Sequence, residues 1–157
     1  MNFQVVGLSK SLFAPLVGLS DAQLTPRNAV RQVAVKSPTS RFPCRVSLRY
    51  AETGESVLLV NFEHLAVSSP YRSRYAIYVR EAAADVQLAV NEIPEVMQHR
   101  PLSLRSFDAA GMLVDADLTL DGDVVGTIKR LLDSERVNYL HVHNAKHGCF
   151  VARVDRA

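Results

Sequence analysis

Residues 57–62 read Val-Leu-Leu-Val-Asn-Phe, a nearly continuous apolar run only six residues long. A run of that kind is a strand covered on both faces, so it belongs at the centre of a sheet. Whatever flanks it must supply the covering layers. Residues 44–49 and 75–81 read as further strands beside the central one, 56–62. Glu-Thr-Gly-Glu-Ser at 52–56 is a hairpin turn in which Gly54 supplies positive φ. The stretch 65–73, Leu-Ala-Val-Ser-Ser-Pro-Tyr-Arg-Ser, is a loop by its turn chemistry.

The rest of the chain adds strands faster than helices. Residues 3–7 form a short strand. Ser9 or Ser11 caps a helix from Leu12 to Val17 that ends at Gly18, with Pro15 tolerated in its first turn. Ser20 starts a turn of helix through Leu24, stopped by Pro26. Residues 29–35 alternate as a half-buried strand, Val33 and Val35 facing one way. Pro94 opens a short helix to His99. Two more strands, 102–107 and 112–120, are joined by Asp108-Ala109-Ala110-Gly111. Asp121 caps a helix reaching Ser134, in which Val124, Val125, Ile128, Leu131 and Leu132 recur at helical spacing. A hairpin, 137–144 with 149–155, closes the chain. Strands and helices do not alternate, so the expected fold is α+β: a mainly antiparallel sheet, two or three short helices, and a C-terminal β-hairpin after a capped helix. With 157 residues, the span 1–157 is expected to be a single globular domain.

The hairpin concentrates the chemistry. Lys146-His147-Gly148 reads as a three-residue loop with Gly148 in the left-handed region. That register pairs His141 with Arg153 and His143 with Val151. Strand alternation then puts Leu140, Val142, Phe150, Ala152 and Val154 on the core face. Tyr139, His141, His143, Cys149, Val151, Arg153 and Asp155 take the other. Solvation alone is served more simply by Lys, Glu and Thr than by such a set.

The motifs Phe-Pro-Cys-Arg-Val-Ser-Leu at 42–48, Leu-Leu-Val-Asn-Phe-Glu-His at 58–64, Ser-Pro-Tyr-Arg-Ser-Arg-Tyr-Ala-Ile-Tyr-Val-Arg-Glu at 69–81 and Tyr-Leu-His-Val-His-Asn-Ala-Lys-His-Gly-Cys-Phe-Val-Ala-Arg-Val at 139–154 together resemble the bacterial family catalogued as domain of unknown function 1203. The likeness in order, spacing and length covers the whole chain. Phe62 stands where a tyrosine is common in that family, and Leu65 where a polar residue is common. The resemblance implies a small stand-alone bacterial protein and assigns it no activity.

Three constellations carry the functional expectation. Arg45 and Arg49 alternate along 44–49, Tyr71 and Arg72 sit in a turn, and Arg153 and His141 share the hairpin face. If the two halves meet, Cys44, Arg45, Tyr71, Arg72, His141 and Arg153 form a pocket of charge-assisted donors for a small anionic ligand such as a carboxylate or phosphate. His64, His143 and Cys149 are the candidate catalytic groups, as acid–base or nucleophilic residues. A metal ranks below the anion. His141 and His143 on one strand face offer two imidazoles that His64 or Cys149 could complete, but no metal ligand set is assigned and the cofactor is unknown. The competing reading is a non-catalytic binding or interaction module in which these residues serve ion pairs and strand pairing. It leaves monomer and homodimer both open.

Charge and composition exclude other classes. The net charge of +2, from 18 basic and 16 acidic residues with the signs interspersed, is no nucleic-acid or membrane footprint. The N-terminus is interrupted by Ser9, Lys10 and Pro15 and does not read as a secretory signal. Two distant cysteines without a leader point to free thiols and a cytoplasmic setting.

Overall fold

The structure, a computed structural model, describes residues 1–38, 41–120 and 122–157. Its strands are β1 (Phe3–Val6), β2 (Ala29–Val33), β3 (Ser56–Leu65), β4 (Ser73–Arg80), β5 (Leu102–Phe107), β6 (Leu113–Thr119), β7 (Tyr139–Asn144) and β8 (Phe150–Arg156). Its α-helices are α1 (Asp21–Leu24) and α2 (Val124–Leu132). The strands form a five-stranded sheet in the order β1-β8-β7-β5-β6 and a three-stranded sheet in the order β2-β3-β4. Every named pairing is antiparallel. The fold is α+β, mainly antiparallel, with short helices and a terminal hairpin after a capped helix.

The apolar run 57–62 lies in the middle strand of its sheet. Consecutive Val57 and Leu58 are both fully buried, so β3 is covered on both faces. It runs past Phe62 to Leu65, with an irregularity between those residues. His64 lies within that irregular end.

One face of the five-stranded sheet packs on α2. Ile128, Leu131 and Leu132 join Leu102, Leu104, Leu140, Val142, Ala152 and Val154 in a single apolar cluster. Each Ile, Leu or Val side chain among them contributes about 1.5–3 kcal/mol by leaving water. The other face meets the smaller sheet through Phe13, Cys44, Val46, Ile77, Val79 and Phe150. The hairpin face carrying the histidines is therefore an inter-sheet surface, and all six residues of β7 are buried.

Several local expectations are corrected. Residues 44–49 are not a strand. Pro43 and Tyr50 form a lone bridge, as do Cys44 and Tyr78, and the chain between them folds back on itself with Leu48 at φ 50°. Its backbone groups go to scattered partners: Cys44 N donates to Arg49 O at 3.0 Å, Arg45 N to Tyr78 O at 3.1 Å, and Leu8 N to Arg45 O at 2.8 Å. No single neighbouring strand could satisfy them. Arg45 and Arg49 consequently do not share a face, for Arg45 is buried and Arg49 exposed. The same loop crowds Gly7, where a Cβ would lie 2.7 Å from Val46 O.

The expected helix from Leu12 to Val17 is two 3-10 turns, Lys10–Leu12 and Ala14–Leu16, because Pro15 has no N–H to continue one ladder. Helix α2 begins after Asp123, whose Oδ1 accepts from Gly126 N at 2.9 Å, and it ends at Leu132 rather than Ser134. The residue expected to cap it, Asp121, lies outside the described residues.

Candidate functional site

The site is set by where the last hairpin turns. Asn144 Oδ1 accepts from Lys146 N at 3.0 Å and from His147 N at 3.3 Å, an Asx-type turn. Gly148 sits at φ 76° and its N donates to Asn144 O at 2.8 Å. His141 pairs with Arg153 as expected, but the register shifts after Val142, and His143 lies opposite Phe150 instead of Val151. A bulge of this kind moves side chains between faces. Val151 joins the α2 side of the core, and Phe150 comes to the histidine side.

Phe150 becomes the ring around which three histidines assemble. His64, from the irregular end of β3, stacks on it with centroids 5.4 Å apart at 8°. His141 and His143, from β7, meet it edge-on at 4.9 and 5.9 Å. His64 is 5.8 Å from His141 and 5.0 Å from His143, ring to ring. One ring nitrogen from each of the three lies within 4.8 Å of the others. The 42–81 segment and the hairpin therefore touch, and the three histidines singled out in the sequence lie in that contact.

Burial keeps all three neutral. It pushes His64 down to about 4 and His141 and His143 down to about 3, with Arg105 adding repulsion in each case. Arg105 comes from β5, directly opposite His141. It is half-buried, its own pKa is lowered by desolvation, and it has no hydrogen-bond or ion-pair partner among the described residues. His143 Nδ1 lies 2.9 Å from Gly148 O. A carbonyl only accepts, so Nδ1 carries the proton and Nε2 keeps its lone pair. That Nε2, with Nδ1 of His64 and Nδ1 of His141, is buried without a hydrogen-bond partner.

Arg45 is the wall between this cluster and a second feature. It is fully buried and donates from Nε to Phe150 O at 2.7 Å, from Nη1 to Pro43 O, and from Nη2 to Cys149 Sγ at 3.2 Å. Desolvation lowers its pKa, and the neighbouring Cys149 and Cys44 oppose that. On its outer side lies a cleft of about 880 Å³ with Arg41, Arg45, Arg100, Tyr50 and Cys149 in its walls. Tyr50 is flanked by Arg41 at 5.0 Å and Arg100 at 5.9 Å from its ring. Arg100 Nη1 is buried and unpartnered. The one carboxylate in the lining, Glu95, is held by Tyr50 N at 3.2 Å.

The sequence-selected residues thus divide. Arg45 and Cys149 line the cleft, and His64, His141 and His143 form the inter-sheet cluster. Of the others, Arg153 borders the cluster, opposite His141 in the strand register, and the rest stand apart. Cys44 is sealed in the core, its Sγ accepting from Arg80 N at 3.3 Å. Arg72 is tied to Glu63 at 2.6 and 3.1 Å on the surface, and Tyr71 is exposed beside Phe107. Arg153 pairs with Asp155 at 2.8 Å and lies 4.0 Å over the Tyr139 ring. Arg41, Arg100 and Tyr50 were not singled out in the sequence, because nothing local to them marks a wall that only the tertiary fold assembles. Arg105 did leave a signal, as the one charge inside the strand Leu-Ser-Leu-Arg-Ser-Phe.

No helix among the described residues is long and apolar enough to cross a membrane. Residues 41–156 match the family described as "Protein of unknown function (DUF1203)", and the chain belongs to that family. The match leaves out residues 1–40, which carry β1 and β2, an edge strand of each sheet. No curated protein and no solved structure matches the chain.

Proposed function

We propose that this family member binds a small organic anion, a carboxylate or a phosphate on an apolar or planar body, in the cleft beside Arg45. The observation that carries the reading is Arg100 Nη1, a buried guanidinium donor without a partner, in a wall that also holds Arg41 and Arg45. Leaving such a donor unpaired is costly, and an anion is the ligand that best relieves it. Three arginines face one carboxylate, and that carboxylate is already engaged by backbone. Tyr50, Tyr75 and Tyr78 give the cleft an apolar, aromatic lining, and its volume suits a ligand of metabolite size. Cys149 stands at the boundary with its sulfur against Arg45, where it would meet whatever the arginines hold.

Titration calorimetry with inorganic phosphate, benzoate and a nucleoside monophosphate tests this. At least one should bind, and Arg100→Ala should weaken it by roughly 10–100-fold, the worth of one charge-assisted contact. Absence of binding by all three at millimolar concentration, or equal binding by the Arg100→Ala protein, would refute it.

A further inference from the structure

We infer that His64, His141 and His143 form a binding site for one divalent first-row transition-metal ion, held by three imidazoles with its remaining position open to an exogenous ligand. The inference does not rest on the anion reading of the neighbouring cleft.

The geometry points to it in three independent ways. The first is convergence. Residues from β3 and β7, separated by about eighty positions in sequence, bring one nitrogen each to within 4.8 Å of the others. An ion about 2.0–2.1 Å from each nitrogen, in tetrahedral geometry, needs spacings near 3.4 Å.

The second is unmet hydrogen bonding. His141 and His143 are 3% and 1% exposed, yet each presents a buried ring nitrogen with nothing to bind, as does His64. One such atom is costly to bury, and three such histidines, each bringing a ring nitrogen to within 4.8 Å of the others, make a donor set suited to a Lewis acid.

The third is the outer contact. His143 donates Nδ1–H to Gly148 O and so presents Nε2 as a lone pair. Ligating histidines are oriented this way, by a carbonyl or carboxylate on the nitrogen away from the metal. The carbonyl is supplied by the glycine that turns the hairpin, so the loop geometry and the donor set are one construction.

The donor set selects the class of ion. Three neutral nitrogens without carboxylate suit zinc, cobalt, nickel or copper, and not magnesium or calcium. The ion's charge is not cancelled by its ligands, and the unpaired guanidinium of Arg105 lies on the adjoining strand opposite His141. The open position therefore favours an anion, hydroxide or a carboxylate, over a neutral group.

The test uses full-length protein purified without a histidine tag and stripped with chelator. Titration with Co²⁺ should give the intense visible bands of a four-coordinate ion and saturate at one ion per chain. Zn²⁺ should displace it and raise the melting temperature. Nitrogen-detected histidine NMR should show Zn²⁺ moving Nδ1 of His64, Nδ1 of His141 and Nε2 of His143, while His143 Nδ1 keeps its proton. His64→Gln, at the least buried of the three, should weaken binding by more than the ~10–100-fold that loss of an outer contact costs, whereas a His99→Ala, His147→Ala double variant should bind normally. The NMR experiment on the unmutated protein decides the matter even if the histidine variants do not fold. No Co²⁺ bands, no shift of those three nitrogens, or binding that survives His64→Gln and is lost with His99 and His147, would overturn the proposal.

Discussion

Arg45 is the residue whose replacement separates the forces that hold this molecule together. It is a guanidinium with 2% exposure and no carboxylate partner among the described residues. Burying the ion costs several kcal/mol. Its donors offset that through Phe150 O, Pro43 O and Cys149 Sγ, at about 1.5–3 kcal/mol for each bond from a charged group. Arg45→Met keeps most of the volume and removes both the cost and the bonds. Pro43 O and Cys149 border the cleft, where water replaces the lost donor. Phe150 O lies on the buried side of Arg45, and losing its donor costs about 1–3 kcal/mol. The expected net loss is therefore about 1–3 kcal/mol, or on the order of a 1 M fall in the urea midpoint. Arg45→Lys should be worse, at about 3–5 kcal/mol: an ammonium keeps the desolvation cost but cannot span three acceptors set around a planar fork. Urea denaturation followed by circular dichroism at neutral pH gives both midpoints. The order should be wild type above Met above Lys. A Met variant as stable as wild type would show that desolvation cancels the bonds, and a Lys variant above Met would show that charge, not the planar fork, is what the site needs.

Other outcomes follow from groups elsewhere. Glu81 is bonded by Arg31 at 2.9 Å through both Nε and Nη2, and the Arg31 guanidinium holds its carboxyl down at about 2 against an ordinary 4.5. A carboxyl depressed on folding stabilises above its unfolded value and loses that contribution as pH falls through its folded one. The stability gap between wild type and Glu81→Gln should thus be full above about pH 5 and close progressively from pH 4.5 towards 2; a gap independent of pH across that window would mean that the ion pair contributes nothing. The two cysteines should differ sharply to a thiol reagent. Cys149 is part-exposed in the cleft wall and Cys44 is sealed, so native protein should lose one thiol quickly and the second only on unfolding. Cys149→Ser should abolish the fast phase, and a fast phase that persists in that variant would place the accessible thiol at Cys44.

How much of this was legible in the sequence depends on whether the deciding interaction was local. The central strand was legible because six near-continuous apolar residues have few ways to be satisfied. Helix α2 was legible from its five apolar positions at helical spacing, and its start was misplaced by two residues because two aspartates stood ready to cap it. The segment 44–49 was not legible. Cys44, Val46 and Leu48 alternate with polar residues as a strand would, and all three are buried. Yet the backbone between them is committed to Leu8, Arg49 and Tyr78, partners distant or internal to the loop that no pattern of period two can reveal.

The hairpin shows most clearly why a nearly correct reading can hide a site. Its strands, its glycine turn and the His141–Arg153 pairing were all expected. A three-residue loop predicts His143 opposite Val151 and leaves the histidine face as either solvent or the floor of a site. Asn144 instead takes two loop amides onto its side chain, the register slips once, and Phe150 changes faces. A phenylalanine on that face is what the smaller sheet can pack against, through Cys44, Val46, Ile77 and Val79. The slip is thus favoured by contacts far away in sequence and permitted by one asparagine at the turn. The slip leaves His141 and His143 on the face that strand alternation gave them and exchanges Phe150 for Val151, so a shift of one position decides whether the three histidines have a common ring to assemble around. Asn144→Ala, which cannot accept the two loop amides, should therefore destabilise the turn and draw Phe150 away from the His64 ring, and unchanged ring shifts of the three histidines in NMR would show that the turn does not set the register.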